Sequence, residues 1–326
     1  MSEPIRAFMA HLSDYAGLFP PARLPLDEAI RNYARYRREG EAWMLDRFIC
    51  PARRLRELQP QKAVLFAEGE PFRFSVLGSA GRSPEEFLSH LNKDLALIGE
   101  FLDFHEGRVQ ADLYETRLPD SFAEAVDPAA LEAFLSAVAE TVDGTTLPAI
   151  RVFYEAGFGG EWRARLETVM TGLAHHGEAR TGGVYGQPGF KVRCGGEDPA
   201  LVPTTEQVAA VLAESRRCRI PVKATAGLHH PVRHHNADAG MVMHGFLNVF
   251  GAGILAAAHD LEEAQVLEIV ADSDPGNFLF TRRAFAWRNL RVSSDDIRTA
   301  RRDQVLSFGS CSFDEPREDL RRMNLL

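Results

Sequence analysis

Of the 37 basic residues in this 326-residue chain, only four are lysine. Arginine serves almost wherever a cation is used. A lysine that remains is therefore a candidate for chemistry arginine cannot do, namely losing its proton and forming an imine. Lys62 and Lys93 stand in polar surroundings, whereas Lys191 and Lys223 stand in the apolar runs GFKVRCGG and PVKATAGL. A lysine nucleophile needs its pKa of roughly 10.4 lowered towards neutrality. Burial and a neighbouring cation both do this. The neutral amine then attacks a carbonyl. The resulting iminium is an electron sink for making or breaking a carbon–carbon bond, with a nearby carboxylate relaying protons. The alternative use of each lysine is an ion pair with a strand-end carboxylate such as Glu155.

A second constellation is histidine-rich. Five of the eleven histidines (His229, His230, His234, His235 and His244) fall within sixteen residues, and the run LHHPVRHH directly follows the Lys223 segment. Substrate contact, acid–base work and metal binding are its three uses. The spacing matches neither HExxH nor a Cys/His zinc set, so direct substrate contact is expected and no metal. The run Phe308–Phe313 is expected to fold over the mouth of the site; its Cys311 has no evident base partner in the sequence, which argues against a thiol nucleophile.

The elements that must position these groups alternate. Short apolar runs suggest buried strands at Arg47–Cys50, Phe72–Leu77, Val109–Glu115, Ala149–Glu155, Gly189–Cys194, Ile220–Ala226 and Val266–Ala271. Between them lie helices with clear start signals: Ser83-Pro84-Glu85-Glu86, Asp127-Pro128 and Thr204-Thr205-Glu206-Gln207. Alternation of this kind implies a parallel sheet with helical crossovers. An eighth strand, from the head (Leu12–Leu18) or the tail (Ala284–Val292), would close a barrel; an open doubly wound sheet is the alternative. The stretches Leu228–Gly240 and Asp272–Phe280 are long and irregular, as functional loops often are. In a parallel barrel the reactive groups sit at strand C-termini. Those ends hold Cys50, Asp112, Glu115, Arg151, Glu155, Lys191, Arg193, Lys223 and Thr225. The two-residue strand period puts Lys191 with Arg193, and Lys223 with Thr225, on one face each.

The net charge of −9 argues against a nucleic-acid or anionic-membrane partner. The N-terminus lacks the apolar run of a secretory signal, and the apolar stretch Phe246–Ala258 is too short for a membrane span and contains Asn248. Four scattered cysteines without a CxxC pair suit reduced thiols in a cytoplasm. No linker or repeat divides the chain, so a single domain is expected.

Taken in order, these segments resemble the deoxyribose-phosphate aldolase family, class I Schiff-base aldolases on a (β/α)8 barrel. LSDYAGLFPPARLPLDEA (Leu12–Ala29) looks like its aspartate-containing opening strand, carrying Asp14, and RFICPARRL like its cysteine-plus-proline strand end, carrying Cys50. ADLYE resembles the strand of the proton-relay aspartate, which falls on Asp112. AIRVFYEAG is similar to a Lys-Val-Ile-x-Glu strand, with Arg151 in place of that lysine and Glu155 retained. GFKVRCGG resembles the strand of the Schiff-base lysine, Lys191, and PVKATAGL that of the lysine that lowers its pKa, Lys223. The family's phosphate-holding loops are replaced: AGLHHPVRHH follows the second lysine, and the expected last strand ends in ADSDP, where Asp272 and Asp274 would repel a phosphate.

The resemblance implies a single TIM-barrel domain over about residues 10–275 with a C-terminal extension over about 276–326. The implied activity is that of a cytoplasmic aldolase-like lyase acting, without a cofactor, on a small non-phosphorylated carbonyl compound. Lys191 forms the imine, Lys223 tunes it, and Asp112 and Glu155 handle protons or orient the lysines. Asp14, Cys50, Glu115, Arg151, Arg193, Thr225, His229 and His230 are the expected substrate-side residues. Self-association is left open. Two other classes compete: a metal-dependent hydrolase or isomerase using His229, His230, His234 or His235 with Glu115 or Asp272, and a barrel that only binds a ligand.

Overall fold

The structure is a computed structural model that describes residues 2–326 apart from residues 68, 125, 180, 181, 197, 200, 201, 238 and 239; the last two belong to the irregular stretch expected after Lys223. The chain runs α1 (Glu3–Met9), β1 (Ser13–Tyr15), α2 (Leu26–Tyr36), β2 (Leu45–Pro51), β3 (Phe72–Leu77), α3 (Pro84–His105), β4 (Val109–Arg117), α4 (Pro128–Asp143) and β5 (Arg151–Glu155). There follow α5 (Trp162–Glu178), β6 (Gly189–Arg193), α6 (Thr205–Cys218), β7 (Val222–Thr225), the antiparallel pair β8 (His234–Asn236) and β9 (Met241–Met243), α7 (Phe246–His259) and α8 (Glu263–Ala271). A small antiparallel sheet of β10 (Phe278–Phe280), β11 (Ala284–Trp287) and β12 (Leu290–Ser293) precedes α9 (Ser294–Asp303), β13 (Val305–Ser310) and α10 (Asp314–Arg322).

Among the described residues, eight strands form a closed parallel barrel in the order β1-β13-β7-β6-β5-β4-β3-β2. This is the (β/α)8 architecture expected from the sequence, and the head segment supplies its first strand. The start signals act as read. The Ser83 hydroxyl accepts from the Glu86 amide, the Asp127 carboxylate accepts from Ala129 and Ala130, and Thr204 with Gln207 makes a reciprocal capping box.

Two expectations need correction. Val266–Ala271 belongs to helix α8, where Val266, Ile269 and Val270 are buried. Their i, i+3, i+4 spacing is a helical stripe, and Glu262 with Gln265 closes a capping box ahead of it. The eighth strand is instead β13, paired on one side with β1 and on the other with β7. The barrel therefore does not end near residue 275: the stretch assigned to an extension contributes one of its strands. The tail segment Ala284–Val292 forms β11 and most of β12 outside the barrel.

The contacts group into two compact units. One comprises Met1–Arg23, Tyr36–Asp46 and Val192–Leu326. Its strands are backed by α7, with Phe246 stacked on Phe308 at 5.6 Å between ring centroids. The other comprises Leu24–Arg35 and Arg47–Lys191. Its outer layer is aromatic, with Phe48, Phe74, Phe66, Phe72 and Phe101 meeting edge to face. In that layer Tyr114 reaches Asp94 of α3 and Tyr154 meets Phe134 of α4. Their sequence neighbours Glu115 and Glu155 consequently turn to the interior.

Candidate active site

In the second unit, β6 carries Lys191, and β5 carries Glu155 directly opposite it in register. Glu115 projects from β4. Lys191 Nζ lies 3.1 Å from Glu155 Oε2 and 3.4 Å from Glu115 Oε2. The three side chains are 5%, 10% and 1% exposed, so this is an interior cluster that no solvent screens. The Ser75 hydroxyl of β3 donates to Glu115 Oε1 at 2.5 Å and orients that carboxylate. Lys191 is thus ion-paired, the alternative use that the sequence offered for it, and its two carboxylate partners are proton acceptors within reach.

The first unit holds the other lysine. Lys223 is fully buried on β7 and donates to the fully buried Asp14 carboxylate of β1 and, at 3.2 Å, to Ser307 of β13. Ser307 also donates to Asp14 Oδ2 at 2.7 Å. Asp14, Ser307 and Lys223 share the face opposite Phe308, since Asp14 and Thr225 both register against Gly309. A buried ion pair of this kind is costly to break from one side, because the survivor is left as an uncompensated charge.

Beyond Lys223 the chain turns sharply. Ala226 and Gly227 adopt positive φ of 59° and 73°. A Cβ on Gly227 would come within 2.7 Å of the Gly195 Cα, so only glycine lets the two backbones approach there. The Cys194 amide donates to the Thr225 carbonyl at 2.8 Å, tying the end of β6 to that of β7. Ala226, a non-glycine in the left-handed region, is backbone strain of the kind that collects at functional sites.

The histidine run follows. His229 Nδ1 lies 2.9 Å from Glu315 and His230 Nδ1 lies 2.6 Å from Asp319, both carboxylates on α10. The His230 and His234 rings meet edge to face at 4.5 Å. His235 is exposed on β8, and His244 is buried with its Nε2 on the Pro203 carbonyl. Among the described residues no three His, Cys, Asp or Glu side chains converge as metal ligands.

The remaining sequence-derived candidates divide by level in the barrel. Asp112 does not join the lysines. It accepts two hydrogen bonds from Arg47, at 2.6 and 2.7 Å, and one from Arg73 at 2.8 Å. Burial opposes its charge, but the bonds from Arg47 and the charge of both arginines outweigh that and hold the carboxyl down at about 2. A carboxylate so firmly ionised is a poor proton shuttle. Arg151, the first residue of β5, lies in the same cluster; burial and the Arg47 charge bring it down to about 10. These residues stand towards strand N-termini, the end of a barrel that usually serves stability. Cys50 is fully buried on the face of Phe48, which packs against Tyr33; burial pushes its thiol up to about 12. Arg193 reaches the Gly195 carbonyl at 3.4 Å, and Thr225 ends β7 half-buried. Asp272 and Asp274 flank no barrel strand. Asp272 caps α8 and accepts from Asn277 and Trp287, so the repulsion argued from that segment does not act at a strand end.

Ser75, Ser307, Glu315 and Asp319 escaped the sequence reading. The signal for Ser307 was present: the apolar run VLSFGS follows a capped helix. Nothing local marks Glu315 and Asp319, four residues apart on an acidic helix. Compared with family models and with curated proteins, the chain matches none.

Proposed function

We propose that this protein is a Schiff-base lyase of aldolase type that acts on a small carbonyl compound, with Lys191 as the amine. The observation that carries the reading is the buried Lys191 between Glu155 and Glu115, at 3.1 and 3.4 Å. After carbonyl addition at Nζ, one carboxylate takes a proton from nitrogen and, now a carboxyl, gives it to the departing hydroxyl, which leaves as water. The interior setting then strengthens the attraction of both carboxylates for the iminium. Glu155 keeps the proton-handling role expected of it, and Glu115 takes the one expected of Asp112. Lys223, paired with Asp14 and Ser307, is held within its own unit. The resemblance of the segments carrying Lys191 and Lys223 to those of deoxyribose-phosphate aldolases supports the same reaction class.

The test is reductive trapping. With a panel of small aldehydes and ketones at neutral pH, borohydride should fix an adduct on the peptide containing Lys191. Lys191→Arg should abolish it, because arginine keeps the charge but forms no imine. An adduct spread equally over Lys62 and Lys93, or none at Lys191 across the panel, would sink the reading.

A further inference from the structure

The geometry points to a second nucleophilic centre in this protein: Cys311, His229 and Glu315 form a thiol–imidazole–carboxylate set that captures an aldehyde as a reversible thiohemiacetal. Cys311 immediately follows β13, and His229 lies in the loop after β7, so the topology brings together residues 82 positions apart. The Cys311 Sγ stands 4.0 Å from His229 Nδ1 and 3.9 Å from Nε2. Nδ1 also faces Glu315 Oε2 at 2.9 Å, leaving Nε2 as the nitrogen that a small ring rotation would aim at sulfur. The Glu315 backbone amide donates to the Ser312 hydroxyl at 3.2 Å, which holds the start of α10 beside Cys311. A base oriented by a third group beside a thiol is the arrangement that activates cysteine nucleophiles.

The set is unlike the other cysteines. Cys50 and Cys194 are fully buried, and burial drives both thiols up to about 12. At His229, burial works against the charged ring, but the bonds to Cys311 and Glu315 outweigh it and hold the imidazole up to about 10. Near neutrality the ring then keeps its proton, which places a cation beside the Cys311 sulfur. The other titratable groups that face this set are His230 and His234 from the same loop and Asp319 from α10; His230 is itself paired with Asp319. Cys311 is 8% exposed, at the surface end of its strand, with His229 and Glu315 more open still.

The step balances without redox. The thiolate attacks the aldehyde carbon, a C–S bond forms as the C=O π bond opens, and the alkoxide takes the proton from His229. The reverse order releases the aldehyde. The choice of a carbonyl as electrophile rests on the lyase reading; the reactivity of the thiol does not.

The experiment is therefore run on the full chain and on its Lys191→Arg variant. Iodoacetamide labelling at about pH 6, read by peptide mass spectrometry, should modify Cys311 about tenfold or more faster than the half-buried Cys218, whose sulfur faces the Glu214 carboxylate. His229→Gln should remove the advantage, and Glu315→Gln should reduce it. Equal rates at the two cysteines, or an unchanged rate in His229→Gln, would overturn the centre. The ultraviolet absorbance of the thiolate, as the difference between wild type and Cys311→Ser, gives the same answer without needing reagent access: it should persist to lower pH than in His229→Gln, and coincidence of the two curves also overturns it. Glycolaldehyde in excess should protect Cys311 from alkylation in both proteins, including the one lacking Lys191. Fast labelling without such protection overturns the carbonyl assignment and leaves the lyase reading to its own trapping test.

Discussion

Three positions separate Asp112 from Glu115 on β4, and the register of β3 against β4 shifts between Phe74 and Ser75, beside Asp112. The aspartate is thereby aimed at Arg47 and Arg73, and the glutamate at Lys191. The cluster at Asp112 is structural in character, which gives a prediction at this scale. Asp112→Asn should lower stability by about 2 kcal/mol, less than the 3–5 kcal/mol of a fully buried pair because the aspartate is partly exposed. Its carboxyl is depressed from 3.8 to about 2 in the folded chain. The stabilisation is thus fully present above pH 3.8 and is lost as pH falls towards 2, so the wild type and Asp112→Asn should converge in urea midpoints over that interval. Imine trapping at Lys191 should survive the substitution once the chain is folded. Loss of trapping in folded Asp112→Asn would restore the relay role expected from the resemblance.

At the scale of elements, helix α7 is apolar almost throughout, with one polar side chain at its core-facing start. Asn248 is fully buried. Its Oδ1 accepts from the Arg233 amide at 2.7 Å, and its Nδ2 donates to the Ile269 and Asp272 carbonyls at 2.8 and 2.7 Å. One side chain thus joins the loop after β7 to the C-terminus of α8. Asn248→Leu fills the volume but strands the Arg233 amide and the Asp272 carbonyl, while the Ile269 carbonyl keeps the Asp272 amide. It should cost roughly 2–4 kcal/mol in chemical denaturation, and it should deprotect the Arg233 amide in hydrogen exchange ahead of global unfolding. An Arg233 amide that stays as protected as in wild type would show that the loop is held by other means. Element types were largely legible in the sequence, because caps and apolar spacing are local: α3, α4 and α6 begin where their start signals stand. The mistaken strand at Val266–Ala271 came from a short apolar run, which periodicity separates from a helix only when its flanks are read too.

Across the whole molecule, the decisive element is the last barrel strand. β13 pairs with β1 and with β7, and its Ser307 bridges Asp14 and Lys223. A chain ending at residue 275 would leave both neighbouring strands with open edges and the buried lysine pair without its bridge. Such a truncation should show no cooperative thermal transition by circular dichroism where the full chain shows one. A cooperative melt of the 1–275 chain would mean that a barrel assembles without β13. The formal charge of −9 and the absence, among the described residues, of a helix long and apolar enough to cross a membrane bear only on what the surface attracts.

The sequence alone determined the rarity of lysine, the alternation of strand and helix, the capped helix starts and the placement of Lys191 and Lys223 on strands that are neighbours in the barrel order. Each is either a composition or a pattern spanning a few residues, and local backbone preferences act over that range. The tertiary structure alone decided which strand closes the barrel and which charges meet. Asp14 finds Lys223 across 209 positions, Glu115 rather than Asp112 joins Glu155 at Lys191, and His229 finds Cys311 across 82. Those pairings depend on strand register and on the order in which strands assemble. Register is set by the fit of whole faces, where a slip of one residue would turn every side chain to the other side.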